Sequence, residues 1–209
     1  MSAGLTGRWQ TLTEQPLAFV RERCVSDCLV HDLAPADLAS LRESPRFTSR
    51  LENLLSHHFG LQPLAQLALP AEQDLPVLLL SDNDFARLLR LCGAVWHAAT
   101  LSREIRGQVV SEYRQLLGEE TFAYALAHRH LAGAADLLRT PAELAQAIDR
   151  DGAFCVATWL GAQPADLRAW LQLRLEFPEP DQPEDQRQVR VVQVVAAHLL
   201  KRAQGNDHE

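Results

Sequence analysis

Apolar residues recur along this chain at three- and four-residue steps, the spacing of one face of an α-helix. The clearest stripe is Phe85, Leu88, Leu89, Cys92, Val95, Trp96 and Ala99, behind Ser81-Asp-Asn-Asp84, which reads as a helix start. Ile105, Val109, Tyr113, Leu116 and Leu117 continue the pattern until Gly118. Phe122, Ala125, Leu126 and Leu131 make another stripe that ends near Gly133. Leu144, Ala147 and Ile148 predict a short helix stopping at Gly152. A second short, apolar helix is predicted from Phe154 to about Trp159–Leu160. Gly161 and Gln163-Pro164 then break the chain, because proline pushes its predecessor out of the helical region. From Pro164 a further helix should carry Leu167, Trp170, Leu171, Leu173 and Leu175. Earlier, Phe47, Leu51, Leu54, Leu55 and His58 predict a helix after Pro45, closed by Gly60.

Proline marks several of these starts. Pro35-Ala-Asp-Leu, Pro141-Ala-Glu-Leu and Pro164-Ala-Asp-Leu share one design. Proline at the first helical position loses no useful N–H, and the acid two residues on meets the positive end of the helix dipole. Thr140 with Glu143 adds a capping box. Their unequal spacing makes them similar starts and not a repeat.

Two stretches leave a choice. Pro76-Val-Leu-Leu-Leu80 could be a buried strand leading into a helix. The valine-rich run 188–195 suits a strand by propensity, but it flows without a break into Ala196-Ala-His-Leu-Leu. Val189, Val192, Val195 and Leu199 then share one helical face, so helix is preferred there. Period-two runs bounded by hairpin turns are almost missing elsewhere. The predicted fold is all-α, one multi-helix domain over residues 1–202. An acidic proline-rich linker covers 178–185, a long connection covers 61–76, and 203–209 is a loose tail.

Composition narrows the function classes. The 209 residues are 47% hydrophobic, ample for a core. Twenty Lys and Arg face 27 Asp and Glu, a net charge of −7. That balance disfavours a general nucleic-acid or anionic-membrane binder. The first 15 residues lack a signal-peptide pattern, and no apolar run approaches the ~18 residues of a membrane span. A soluble cytosolic chain is expected, with Cys24, Cys28, Cys92 and Cys155 reduced and mostly buried.

Candidate chemistry is sparse. Cys24-x3-Cys28-x2-His31 would share one helix face, and its spacing mimics a three-cysteine cluster loop with histidine in third place. Zinc would need a fourth ligand, which no second pair supplies. The plainer reading places Cys24 and Cys28 on a core face with Val20; a small metal- or cluster-dependent enzyme using Cys24, Cys28 and His31, or a helical regulatory protein, is the alternative function. His57-His58 and His128-Arg-His130 could serve a metal or a pH sensor. In each pair one ring should pack and the other should be solvated. Ser81-Asp-Asn-Asp84 caps a helix better than it binds a cation, lacking the glycine and distal glutamate of a calcium loop. No phosphate-cradling loop and no nucleophile elbow occurs. Trp96 and Trp159 belong to a core by their apolar neighbours, while Trp9 and Trp170 stay open. Arg42, Arg46 and Arg50, alternating with Glu43 and Glu52, suit an exposed helix face.

Three packing patterns, in order, carry a resemblance. They are Leu88-Leu-Arg-Leu-Cys-Gly-Ala-Val-Trp-His97, the apolar helix from Phe154 followed by Gln163-Pro164, and Leu171-Gln-Leu-Arg-Leu175. In an acidic chain of this length they resemble SctK, the YscK family of type III secretion sorting-platform accessory proteins, from about Ser81 onward. The resemblance implies a non-enzymatic cytosolic adaptor without cofactor, metal or small-molecule substrate. It would link the cytoplasmic domain of the inner-membrane ring protein SctD to SctQ, on a platform that also carries SctL and the ATPase SctN. No catalytic residue carries over. Charge density and expected exposure make Glu179, Asp181, Glu184 and Asp185 the candidate partner contacts, with Trp170 beside them.

Overall fold

The computed structural model describes residues 2–31, 33–135, 137, 139–175 and 185–206. In chain order the helices are α1 (Ser2–Thr13), α2 (Pro16–Phe19), α3 (Glu22–Asp27), α4 (Pro35–Glu43), α5 (Thr48–Phe59), α6 (Leu75–Leu78) and α7 (Asp82–Trp96). They continue with α8 (Ala98–Arg103), α9 (Gly107–Leu117), α10 (Glu119–Ala127), α11 (Pro141–Gly161), α12 (Ala165–Arg174) and α13 (Gln186–Asn206). Short 3-10 segments lie at Leu64–Gln66 and Arg129–Leu131, and no strand occurs among the described residues. The fold is all-α. Neither strand-like stretch is a strand: the first is helical in α6 up to Leu78 and turns at Leu79, and the second lies inside α13.

Contacts divide the chain into two compact units, each built from two separate stretches. One comprises Met1–Glu72 with Gln163–Phe177, the other Gln73–Ala162 with Pro178–Glu209.

In the first unit, Trp9 of α1 is buried and meets Phe19 edge to face, ring centroids 6.3 Å apart. Arg42 departs from its expected exposed position. Its guanidinium donates to the carbonyls of Leu17 at 2.7 Å and Val20 at 3.2 Å, and pairs with Glu22 at 3.2 Å. A helix as short as α2 leaves its last carbonyls without intrahelical partners, and Arg42 supplies one. Gly60, at φ 63°, closes α5 in the left-handed conformation that glycine adopts without penalty. α12 brings Trp170 into the same unit. That ring is 1% exposed, and its indole N–H donates to the Gln62 carbonyl at 2.8 Å.

In the second unit, α7 and α11 form the central pair. The sequence pattern predicts a stop at Gly152 and two short helices, but α11 runs unbroken from Pro141 to Gly161. Gly152 is instead a crossing point. A Cβ there would run into the Leu89 carbonyl, and one at Gly93 into the Ile148 carbonyl. Two glycines thus let the backbones touch, and the close approach outweighs their poor helix propensity. Leu101, Tyr113, Leu117, Phe122, Leu144 and Ile148 fill the core beside the crossing. α13 packs on both central helices, with Val189, Val192, Val195 and Leu199 buried. Caps set the entries: the Ser81 hydroxyl accepts from the Asp84 N–H at 3.2 Å, and Thr140 and Glu143 complete a reciprocal box.

The stripe around Ile105 also differs from its prediction. Helix stops after Arg103 and resumes at Gly107, so Ile105 lies in a turn and is 92% exposed.

Candidate interaction surface

The α8–α9 turn is built by its own charged residues. Arg106 donates to Glu104 three times: from its backbone N–H at 2.8 Å, from Nε at 2.9 Å and from a terminal guanidinium nitrogen at 2.6 Å. These side-chain and backbone hydrogen bonds hold the Glu104 carboxyl down to about 2. A bidentate arginine–carboxylate pair is directional as well as strong. It fixes the residue between its partners, and that residue is Ile105. An apolar side chain is therefore held outward by a polar clamp.

A cavity of about 310 Å³ opens beside the clamp, lined by Arg103, Arg106 and Arg139 together with Thr100, Glu104, Tyr113 and Leu137. Tyr113 is buried, whereas Leu137 is 54% exposed. Its lining holds three arginines and one carboxylate, on a chain of net charge −7, and Arg106 is the arginine that pairs with that carboxylate. Burial and the neighbouring Glu104 both push the Tyr113 phenol up, while Arg106 opposes them. The arrangement offers hydrogen-bond donors and apolar contact.

The second unit keeps other polar chemistry inside, as ties between helices. Asp74, just before α6, is 7% exposed and accepts from the Trp159 indole at 2.8 Å and the Gln193 amide at 2.9 Å. Thr158 donates to Gln188 at 3.0 Å, joining α11 to α13. His97 is 1% exposed, and its Nε2 lies 2.8 Å from an Asp151 oxygen. Burial lowers the pKa of His97, with Arg139 and Arg150 acting the same way and Asp151 opposing them. Its Nδ1 is buried without a hydrogen-bond partner among the described residues.

The chain is similar to two curated proteins, both called Nodulation protein NolU. One is from Sinorhizobium fredii (strain NBRC 101917 / NGR234) and the other from Rhizobium fredii. Each is 29% identical over 171 residues, spanning 72% of this chain and 81% of the relative. No family model matches the chain, and no solved structure matches it.

The residues singled out by sequence are scattered. Cys24 lies in α3 and its thiol donates to the Leu173 carbonyl at 3.3 Å, while the Cys28 thiol, at the helix end, donates to the Cys24 carbonyl at 3.2 Å. His31 lies beyond α3, so the three do not share a helical face. Among the described residues no three His, Cys, Asp or Glu side chains gather to hold a metal. Cys92 and Cys155 are fully buried, and burial pushes their thiols up, that of Cys155 to about 12. His57 and His58 are both exposed, contrary to the expected packed-and-solvated pair. His128 stacks on Tyr124, with ring centroids 4.1 Å apart, and His198 lies at 4.3 Å from the same ring.

Among the expected partner contacts, Trp170 faces inward with its N–H already used, so it is a packing residue and not an exposed anchor. Asp185 caps α13, accepting from the Arg187 N–H at 2.9 Å and pairing with its guanidinium at 3.2 Å. Glu179, Asp181 and Glu184 lie outside the described residues. No helix among the described residues is long and apolar enough to cross a membrane. Sequence reading missed the clamp because Glu104 and Arg106 look like any solvated pair. The available signal was their flanking of an isoleucine just before Gly107.

Proposed function

We propose that this chain is a type III secretion-related protein that works as a non-enzymatic adaptor, in the manner of SctK and close to its Pseudomonas member PscK. In that role it bridges the cytoplasmic domain of the inner-membrane ring protein SctD and SctQ of the sorting platform, beside SctL and the SctN ATPase. It then sits at the cytosolic face of the inner membrane and needs no cofactor. The observation that carries the adaptor reading is Ile105, a large apolar side chain 92% exposed on a turn that two charged neighbours lock in place. A binding protein gains from such a tip an anchor that is already oriented.

The secretion part rests on the three ordered packing patterns. The similarity to NolU supports a role in a bacterium that deals with a host, and the nodulation name assigns neither partner nor place. The test is reconstitution. Purified full-length chain is mixed with the SctD cytoplasmic domain and with SctQ, and complexes are separated by size-exclusion chromatography. Co-elution with either is expected. Failure to associate with both, when each partner is folded, overturns the proposal.

A further inference from the structure

We propose that the Ile105 turn and the arginine-lined cavity beside it dock an acidic, apolar-bearing segment of a partner protein. The inference deepens the adaptor reading, and it borrows from that reading only the choice of partners for its first test. Three observations converge on this surface. Ile105 and Leu137 are large apolar side chains left 92% and 54% exposed. The backbone that carries Ile105 is fixed before any partner arrives, because Arg106 bonds both through its main chain and through its guanidinium to Glu104. The cavity alongside carries Arg103, Arg106 and Arg139 against Glu104.

Charge complementarity selects the occupant. The whole chain is acidic at −7, yet the lining of this cavity is arginine-rich, and Arg139 is the arginine there that carries the match to an acidic partner. A segment offering carboxylates to Arg139 and an apolar side chain to Ile105 and Leu137 satisfies both halves of the surface. Nucleic acid would meet the arginines but would leave the isoleucine against phosphate, and the acidic remainder of the chain would repel it. Arginine is among the residues that most often carry binding energy at a protein interface.

The experiment uses the full chain with Ile105→Asp and, separately, Arg139→Glu. Leu54→Asp, at a half-exposed apolar position on α5, is the control. Circular dichroism first establishes that each variant is folded. Binding to the SctD cytoplasmic domain and to SctQ is then measured by biolayer interferometry at low and high salt. The surface predicts that one partner loses at least tenfold in affinity with each of the two variants and less than twofold with the control. Its wild-type affinity should also fall with salt. Undiminished binding by both variants overturns the inference and leaves the adaptor reading standing.

If wild type binds neither partner, the adaptor reading fails and the surface is judged separately. A photo-crosslinking amino acid replaces Ile105 in cells that make the protein, and the joined peptide is sequenced by mass spectrometry. A synthetic copy that is acidic, binds wild type and fails to bind Arg139→Glu supports the inference. An adduct with a second copy of this chain, an adduct with nucleic acid, or no adduct overturns it.

Discussion

The α7–α11 crossing and the α8–α9 turn belong to the same unit, yet they invert each other. At the crossing, Gly152 has the look of a helix stop and is a point where two backbones touch. At the turn, Ile105 has the look of a core residue and is 92% exposed. In both places the identity of one residue misleads and its surroundings decide. A glycine inside a helix can serve a close neighbour as readily as a turn. An isoleucine in a helical rhythm is core only if the helix continues, and the Glu104–Arg106 clamp interrupts it. Interior packing and outward presentation are thus separable properties of this unit, and substitutions should affect them separately.

The largest effect is expected at the crossing. Gly152→Val should cost about 3 kcal/mol or prevent folding, because the new side chain meets the Leu89 carbonyl and not a movable side chain. Gly152→Ala is the sharper probe. Helix propensity alone would gain about 1 kcal/mol for alanine in a helix interior. A lower urea midpoint shows that backbone contact outweighs that gain; a higher one breaks the comparison.

Next is the buried carboxylate. Asp74→Ala should cost about 2 kcal/mol in denaturant unfolding, because it leaves the Trp159 and Gln193 donors buried without an acceptor. An unchanged midpoint would mean that those donors find other acceptors.

A smaller effect is expected from pH. Burial lowers the pKa of His97 below its ordinary 6.5, so the unfolded chain takes up a proton that the folded chain resists. Stability should hold above about pH 6.5 and decline as pH falls below it, since the unfolded state then binds more protons. His97→Gln should flatten that part of the stability–pH curve, measured by thermal or urea unfolding across pH 5 to 8.

The smallest effect on folding is expected at the turn. Ile105→Ser should leave the unfolding midpoint within about 0.5 kcal/mol of wild type, as surface substitutions do. A larger loss would place Ile105 in the core after all and collapse the contrast with Gly152.

The all-α class was legible because the apolar stripes of α7, α9, α10 and α13 follow one period over many residues. The caps at Ser81 and Thr140 and the stop at Gly60 were legible because they depend on a few adjacent residues. The ties were not. Asp74, Trp159 and Gln193 are far apart in sequence, and a carboxylate in a proline-punctuated connection gives no local sign of burial. Trp170 was ambiguous for the same reason, since its Gln62 acceptor lies on a distant stretch. The candidate surface was hidden because its isoleucine fitted a rhythm and its clamp resembled two solvated charges.

The discontinuous make-up of both units limits how the chain can be divided. The first unit takes up the chain again at Gln163, and the second resumes at Pro178. A ribosome therefore completes neither until most of the polypeptide has emerged, and a single cut anywhere between 73 and 162 leaves both units incomplete. Fragments made at one boundary would expose the helix faces that the missing piece covers, including the seat of Trp170. A gene encoding such a chain tolerates insertions in its loops far better than it tolerates being split.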